Sequence, residues 1–210
     1  MPPDASSPPG TSSPNDTSSP VPSSPAPLSP APISLVSIEP EAPDDAPAIE
    51  ALLDEAFGAD RHKKQSYRFR QHVGPIEALS LVARDRGRVV GTIRQWPVAI
   101  TGAPAGTPAL LLGPIGVAAD RRGERIGDRL MRESLRLADE LGYAVVLLVG
   151  ELSYYGRFGF RAAAAHGLFM PGEDPKRLQV LELDPGTLGA VSGDLWPVLP
   201  KPAKARRYGT

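Results

Sequence analysis

The run Arg122-Gly123-Glu124-Arg125-Ile126-Gly127 lies between an apolar stretch, Leu110 to Val117, and a helix-patterned stretch ending near Leu141, and it restricts the fold more than any other segment. A strand that ends on a glycine-bearing turn and is followed at once by a helix makes an anion site. The first amides of the helix have no intrahelical partner and the helix dipole adds partial positive charge, so several N–H groups can converge on one phosphate. Glycine lets the backbone come close. A second segment, Tyr154-Tyr155-Gly156-Arg157-Phe158-Gly159-Phe160, follows another buried-strand pattern, Ala144 to Val149. Together the two segments point to an enzyme of α/β (α+β) class.

The rest of the chain reads as strands and helices in alternation. Ile33 to Ile38 is expected as a first strand, and Asp44-Asp45 as the cap of a helix running through Phe57, with Ile49, Leu52, Leu53 and Phe57 as its apolar stripe. Ser66 to Val73 reads as a short second helix. Ala78 to Ala83 and Arg88 to Gln95 flank Asp85-Arg86-Gly87, a hairpin signal. The Gly102 to Pro108 loop then separates a strand at Trp96 to Ile100 from Leu110 to Val117. Within that fourth strand Gly113-Pro114 marks a bulge or a plain interruption, because Pro cannot donate to a ladder. On the helix from Gly127 to Leu141, Ile126, Leu130, Leu137 and Leu141 share one face. Arg125, Arg129, Arg132 and Arg136 form a solvated row on another, with Asp128 and Arg132 as an i,i+4 pair.

Two signatures carry a family resemblance. Val117-Ala118-Ala119-Asp120-Arg121-Arg122-Gly123-Glu124-Arg125-Ile126-Gly127-Asp128-Arg129-Leu130-Met131 resembles the acetyl-CoA-binding motif of the GNAT superfamily of N-acetyltransferases, whose core reads Arg/Gln-x-x-Gly-x-Gly/Ala. Tyr155-Gly156-Arg157-Phe158-Gly159-Phe160 resembles that superfamily's second signature, a Tyr followed by a short turn and Gly-Phe. Order and gap match as well, and the resemblance spans residues 33 to 184. Within the superfamily, Tyr-Tyr-x-Arg-Phe-Gly-Phe is similar to the small bacterial predicted N-acetyltransferases, whose acceptor is generally unassigned.

The resemblance implies the GNAT acyl-CoA N-acyltransferase fold, a central mixed, mostly antiparallel sheet flanked by helices. It implies acetyl-CoA as cosubstrate, no metal, and a small-molecule or peptide amine as acceptor. A bulge in the fourth strand would splay it from the fifth, and backbone groups of Ile115, Gly116 and Val117 would bond the pantetheine arm in the opening. Arg122, Gly123, Glu124, Arg125, Ile126 and Gly127 would hold the pyrophosphate, with Leu130, Tyr155 and Phe158 also contributing to the cofactor site. Tyr155 occupies the position whose hydroxyl lies near the cofactor sulfur, where a phenol can protonate the departing thiolate. An oxyanion donor would be a backbone N–H such as that of Val117. One departure stands out: counting from Arg122, the first motif glycine falls on Arg125, while Gly127 is kept. The Arg125 side chain must swing outward, obstruct the pyrophosphate arm, or add positive charge beside it.

Composition narrows the remaining choices. The chain has 210 residues, 41% hydrophobic and 22% charged, with net charge -1, so it can bury a sizeable core and carries no charge excess that calls for nucleic acid or membrane partners. It contains no cysteine. That excludes disulfides and an acetyl-cysteine intermediate, leaves direct transfer in a ternary complex as the default, and fits a cytoplasmic location. Three histidines at 62, 72 and 166 show no metal-ligand spacing. Residues 1–32 hold 11 Pro and 9 Ser and are expected as a disordered tail, residues 33–184 as the acetyltransferase domain, and residues 185–210 as a C-terminal extension ending in a basic tail.

The general base is left open. Glu151 is expected to cap the helix after the fifth strand rather than to act as a base, and Asp60, Arg61 and His62 fall after the first helix, where the family often binds its acceptor. Monomer and homodimer are both open, with Gln179 to Leu183 and Trp196 as candidate contacts. The rival to an enzyme is a non-catalytic acyl-CoA-binding or regulatory module, which Arg125 favours and Tyr155 opposes. A scaffold role would rest on the Pro/Ser tail.

Overall fold

The computed structural model describes residues 36–198, so the Pro/Ser-rich segment, the start of the expected first strand at Ile33 and the basic tail lie outside the described residues. In chain order the elements are β1 (Ser37–Pro40), α1 (Ala46–Phe57), α2 (Gln65–Arg68), β2 (Leu81–Asp85), β3 (Arg88–Ile100), β4 (Ala109–Val117), α3 (Ile126–Glu140), β5 (Val145–Val149), α4 (Leu152–Tyr155), β6 (Arg161–Ala162), β7 (Leu168–Phe169), β8 (Leu178–Glu182) and β9 (Gly193–Pro197), with short 3-10 turns between them. Hydrogen bonding orders the strands β1-β2-β3-β4-β5-β8-β6. Along this path only β4 and β5 are parallel, because α3 carries the chain back across the sheet between them. β9 lies in the stretch 185–210 and pairs antiparallel with the end of β3 and parallel with β7. The result is the mixed, mostly antiparallel sheet flanked by helices that the resemblance implies.

The hairpin between β2 and β3 forms as expected, with Arg86 and Gly87 both at positive φ, as a two-residue turn of this hand requires. β3 then runs through Trp96 to Ile100 as one strand of 13 residues, where a separate strand was expected.

Two glycines set how closely the helices approach the sheet. A Cβ at Gly116 on β4 would lie 2.8 Å from a methyl of Leu52 and 3.0 Å from one of Leu53, so α1 sits directly on that strand. A Cβ at Gly91 on β3 would lie 3.0 Å from both Ile126 and Leu130 of α3. Gly91 pairs with Val117 and Thr92 with Gly116, so the two glycines point to opposite faces and the two helices cover opposite sides.

Local details differ from the sequence reading for identifiable reasons. The Asp45 carboxylate does not cap α1; it accepts the Ala42 amide at 2.9 Å and two bonds from Arg84 at 2.9 and 3.0 Å. Helix α2 stops at Arg68, and the chain tightens into i→i+3 bonds up to His72, which takes a left-handed φ of 66°. On α3 the buried row is Ile126, Leu130, Met131, Ser134 and Ala138, while Leu141 is half exposed. Ser134 belongs in that row because buried Gln95 donates to its hydroxyl at 2.7 Å. Asp128 turns to Arg157 at 2.7 Å, and Arg132 lies over the Phe158 ring instead of pairing with Asp128. The Gln179 to Leu183 stretch forms most of β8, which lies between β5 and β6, so this strand is paired on both sides.

Candidate active site

The bulge in β4 opens the sheet. Register between β3 and β4 shifts where Ile93 opposes Ile115 and Gln95 opposes Leu112, leaving Gly113 and Pro114 opposite Arg94 alone, a bulge of one extra residue. Pairing between β4 and β5 ends at Leu111 and Leu147, although β4 continues to Val117 and β5 to Val149. Beyond that point the two strands part. The Ala118 amide bonds the Val90 carbonyl at 3.0 Å, and antiparallel ladders alternate. Gly116 therefore directs its backbone groups to β3, whereas Ile115 and Val117 present theirs to the opening.

The turn at the end of β4 supplies donors. Arg125 is the N-cap of α3 at φ 59°, ψ 21°, a left-handed conformation that glycine adopts more easily, and Gly123 lies at φ 89°. The first helical bond runs from the Arg129 amide to the Arg125 carbonyl, so the amides of Ile126, Gly127 and Asp128 have no intrahelical acceptor. The Arg125 side chain is 79% exposed, with only a 3.8 Å approach to Asp128. Its backbone thus follows the glycine path while the side chain swings outward. Arg121 binds the Glu124 carboxylate at 2.7 Å and Asp85 at 2.5 Å, which neutralises an acid beside the turn and ties the turn to β2. A Cβ at Gly127 would make ordinary 3.6 Å contacts with the Tyr154 hydroxyl and Val117. Around these residues lies a cleft of about 720 Å³ to which Arg122, Tyr154 and Arg157 also contribute. Arg157 stacks over Tyr154 at 4.0 Å and shares its charge with Asp128, to which it bonds at 2.7 Å in the same cleft.

Tyr155 stands at the other end of the opening. It lines a cavity of about 370 Å³ together with Leu112 to Ile115 of β4 and Leu148 and Val149 of β5. Its ring meets Tyr154 edge-on at 4.9 Å and Phe160 at 6.1 Å. A Cβ at Gly150 would be 2.2 Å from the Tyr155 ring, so only glycine there lets the ring lie against the end of β5. Burial, reinforced by Tyr154, pushes the Tyr155 phenol up to about 12, and it remains protonated at neutral pH.

Residues 37–163 match the model of the acetyltransferase (GNAT) domain. The chain belongs to the GNAT acetyltransferase family. It is similar to the uncharacterized N-acetyltransferase YhbS of Escherichia coli K12, at 35% identity over 159 residues covering 74% of this chain and 92% of the relative. The crystal structure of Escherichia coli YhbS in complex with CoA superposes with a TM-score of 0.68 at 31% identity, covering 81% of this chain and 94% of that one. A GNAT family acetyltransferase from Brucella melitensis in complex with acetyl-CoA gives a TM-score of 0.58 at 31% identity, covering 78% and 96%.

In this GNAT chain the residues singled out from sequence divide into three groups. Arg122, Gly123, Arg125, Ile126 and Gly127 meet at the cleft, Ile115 and Tyr155 meet at the cavity, and Val117 lines the cleft at the end of β4. Glu124 is tied to Arg121, which leaves its backbone amide as its means of reaching a phosphate. Leu130 is fully buried against Gly91, and Phe158 is half-buried between Arg132 and Arg157, so both serve packing. Glu151 takes the N-cap position of α4 by its backbone, yet its side chain goes to Arg177 at 3.3 Å.

The loop after α1 is largely structural. Arg61 is 2% exposed and bonds Glu50, Asp54 and Tyr67. Burial opposes its charge, but these partners outweigh burial and raise its pKa. Arg94 shares Glu50 and also binds Glu41 at 2.6 Å. This network holds Tyr67 at the wall of the cavity that Tyr155 lines, where Arg70 and Glu173 complete the lining. Sequence offered no signal for Arg70 and Glu173, which lie about 100 residues apart and meet only in the fold. Gly150, at the end of a strand pattern and just before the aromatic segment, was legible in principle.

Proposed function

We propose that this protein transfers the acetyl group of acetyl-CoA to a primary amine by direct attack within a ternary complex. The observation that carries the reading is the position of Tyr155, a protonated phenol lining the cavity between the splayed β4 and β5, beside Tyr154, which lines the donor-lined cleft. The complexes of YhbS with CoA and of the Brucella melitensis relative with acetyl-CoA support the choice of cosubstrate.

The pyrophosphate would lie against the amides from Gly123 to Asp128, and the pantetheine arm would bond the outward backbone groups of Ile115 and Val117. The amine nitrogen attacks the thioester carbonyl, the carbon–nitrogen bond forms, and the carbon–sulfur bond breaks. Developing oxyanion charge is met by an amide of β4 such as that of Val117. Tyr155 donates its proton to the leaving thiolate. Glu173, the carboxylate lining the cavity, receives the ammonium proton directly or through water.

Tyr155→Phe tests this against a binding module of the same fold. An enzyme should lose about 10²-fold or more in kcat while its acetyl-CoA affinity stays within about threefold. A protein whose wild-type form turns over no amine, while still binding acetyl-CoA, would instead be the non-catalytic module.

A further inference from the structure

Arg70 is a cation without a counter-ion in a place built to hold it. Its guanidinium lies 4.7 Å from the Tyr67 ring centre and 5.9 Å from that of Trp96, and its Nε is buried with no hydrogen-bond partner. Among the described residues no carboxylate comes within ion-pair distance. Glu41, Glu50 and Asp54 are each bonded to Arg61 or Arg94 instead. Burial pulls the Arg70 pKa down to about 10, which still leaves it charged at neutral pH. A largely desolvated guanidinium that has Tyr67 for a neighbour but no carboxylate is unfavourable unless something else supplies the anion.

Its place tells which anion. Arg70 lines the cavity that contains Tyr155 and also the adjoining cavity of about 220 Å³ on its other side. A Cβ at Gly113 would lie 3.1 Å from Arg70 Nη2, so the absence of a side chain there lets the guanidinium reach the β4 bulge. The Gly113 carbonyl beside it already accepts the Trp96 indole N–H at 2.8 Å. The positive charge therefore sits at the mouth of the opening where the amine has to attack, and a cavity of this size admits a small molecule.

We infer that Arg70 binds a carboxylate carried by the amine acceptor, which makes the acceptors small α- or β-amino acids rather than simple alkylamines or peptide amides. A planar fork of donors fits a carboxylate in two-point contact, and stacking on Tyr67 and Trp96 keeps that fork oriented before the acceptor arrives. Glu173 in the same cavity, held by a loose 3.7 Å ion pair with Arg177, supplies the complementary anion for the ammonium end. The inference rests on the transferase reading above, since it names the substrate class of that same site.

The test measures CoA release from acetyl-CoA with matched acceptors, glycine against glycinamide and β-alanine against its amide, for wild type, Arg70→Gln and Arg70→Lys. The carboxylates should exceed their amides by about tenfold or more in kcat/KM. Arg70→Gln should remove that preference mainly through KM and leave the amides within about threefold, with Arg70→Lys in between. Amides equal to or better than carboxylates in the wild type would overturn the inference, as would an Arg70→Gln loss shared equally by both, which would place Arg70 in the reaction or the fold. Retained acetyl-CoA binding by the variants controls for folding.

A second measurement separates the two readings. The CoA-loaded wild-type protein is titrated calorimetrically with N-acetylglycine and N-acetylglycinamide. Preference for the acid without turnover of any amine would keep the Arg70 assignment and sink the transferase reading. Turnover without any carboxylate preference in either measurement would do the reverse.

Discussion

The donor-lined turn before α3 and the cavity beside Tyr155 lie at the two ends of one opening in the sheet, yet they are made of different material. The turn uses consecutive backbone amides from Gly123 to Asp128, preset by the end of β4 and the start of α3. The cavity uses side chains from separated stretches, among them Tyr67 and Arg70, Pro114, Tyr155 and Glu173, brought together by the register of β4 and the ion pairs under α1. A backbone site tolerates a change of side chain, as Arg125 in a glycine's place illustrates. A site of side chains depends on every neighbour that orients them. One part of the molecule should therefore respond weakly to substitution and the other strongly.

The largest effect separating the two should come from Gly150→Ala. The added methyl would meet the Tyr155 ring at 2.2 Å and push the phenol out of line, so turnover should fall by about 10²-fold. Acetyl-CoA affinity, which the proposal assigns chiefly to the turn, should change by less than about threefold. Steady-state kinetics beside calorimetric titration checks this, and unchanged turnover would mean that the position of the phenol does not matter.

Acid should come next. Burial works against ionisation of Glu50 and Asp45, but Arg61 and Arg94 around Glu50, and the Ala42 amide and Arg84 around Asp45, hold their folded-state pKa values below the ordinary 4.5 and 3.8. Depressed carboxylates add stability that is fully present above those ordinary values and lost as pH falls through the lower folded ones. Urea midpoints should thus be level down to about pH 5 and then decline. Hydrogen exchange should show the α1 and Tyr67 side loosening before α3. Simultaneous loss of both would show that the two parts are not separately supported.

The smallest effect should follow Arg125→Gly. Relief of the left-handed strain is offset by the greater freedom of glycine in the unfolded chain, so stability should move by no more than about 1 kcal/mol. Affinity for acetyl-CoA should stay within about threefold, because the arginine side chain already points outward. A large gain in affinity would instead mean that the arginine obstructs the pyrophosphate cleft in solution.

Legibility followed the same division. The β2–β3 hairpin, the β4–α3–β5 crossover and the motif at Arg122 to Gly127 could be read because each is determined by neighbours in sequence. The buried face of α3 was read less well, since Ser134 is admitted by Gln95 from β3, a partner 39 residues away. The cap expected of Asp45 was lost to Arg84 on β2, and the cap expected of the Glu151 side chain to Arg177. In each case a charge distant in sequence draws the carboxylate away from the first amides of the helix, and Asp45 turns back to the Ala42 amide as well; no window of sequence registers the distant charge.

By itself, then, the sequence determined the order of the main elements, the glycine-bearing turn before α3 and the place of Tyr155, because apolar periodicity, glycine and chain proximity act over a few residues. Only the tertiary structure decided that β4 and β5 part after Leu111, that Gly150 seats the phenol, and that Arg70 faces the cavity with its neighbouring carboxylates already taken. Those outcomes depend on strand register and on competition among charges distant in sequence, which are settled only when the chain has packed.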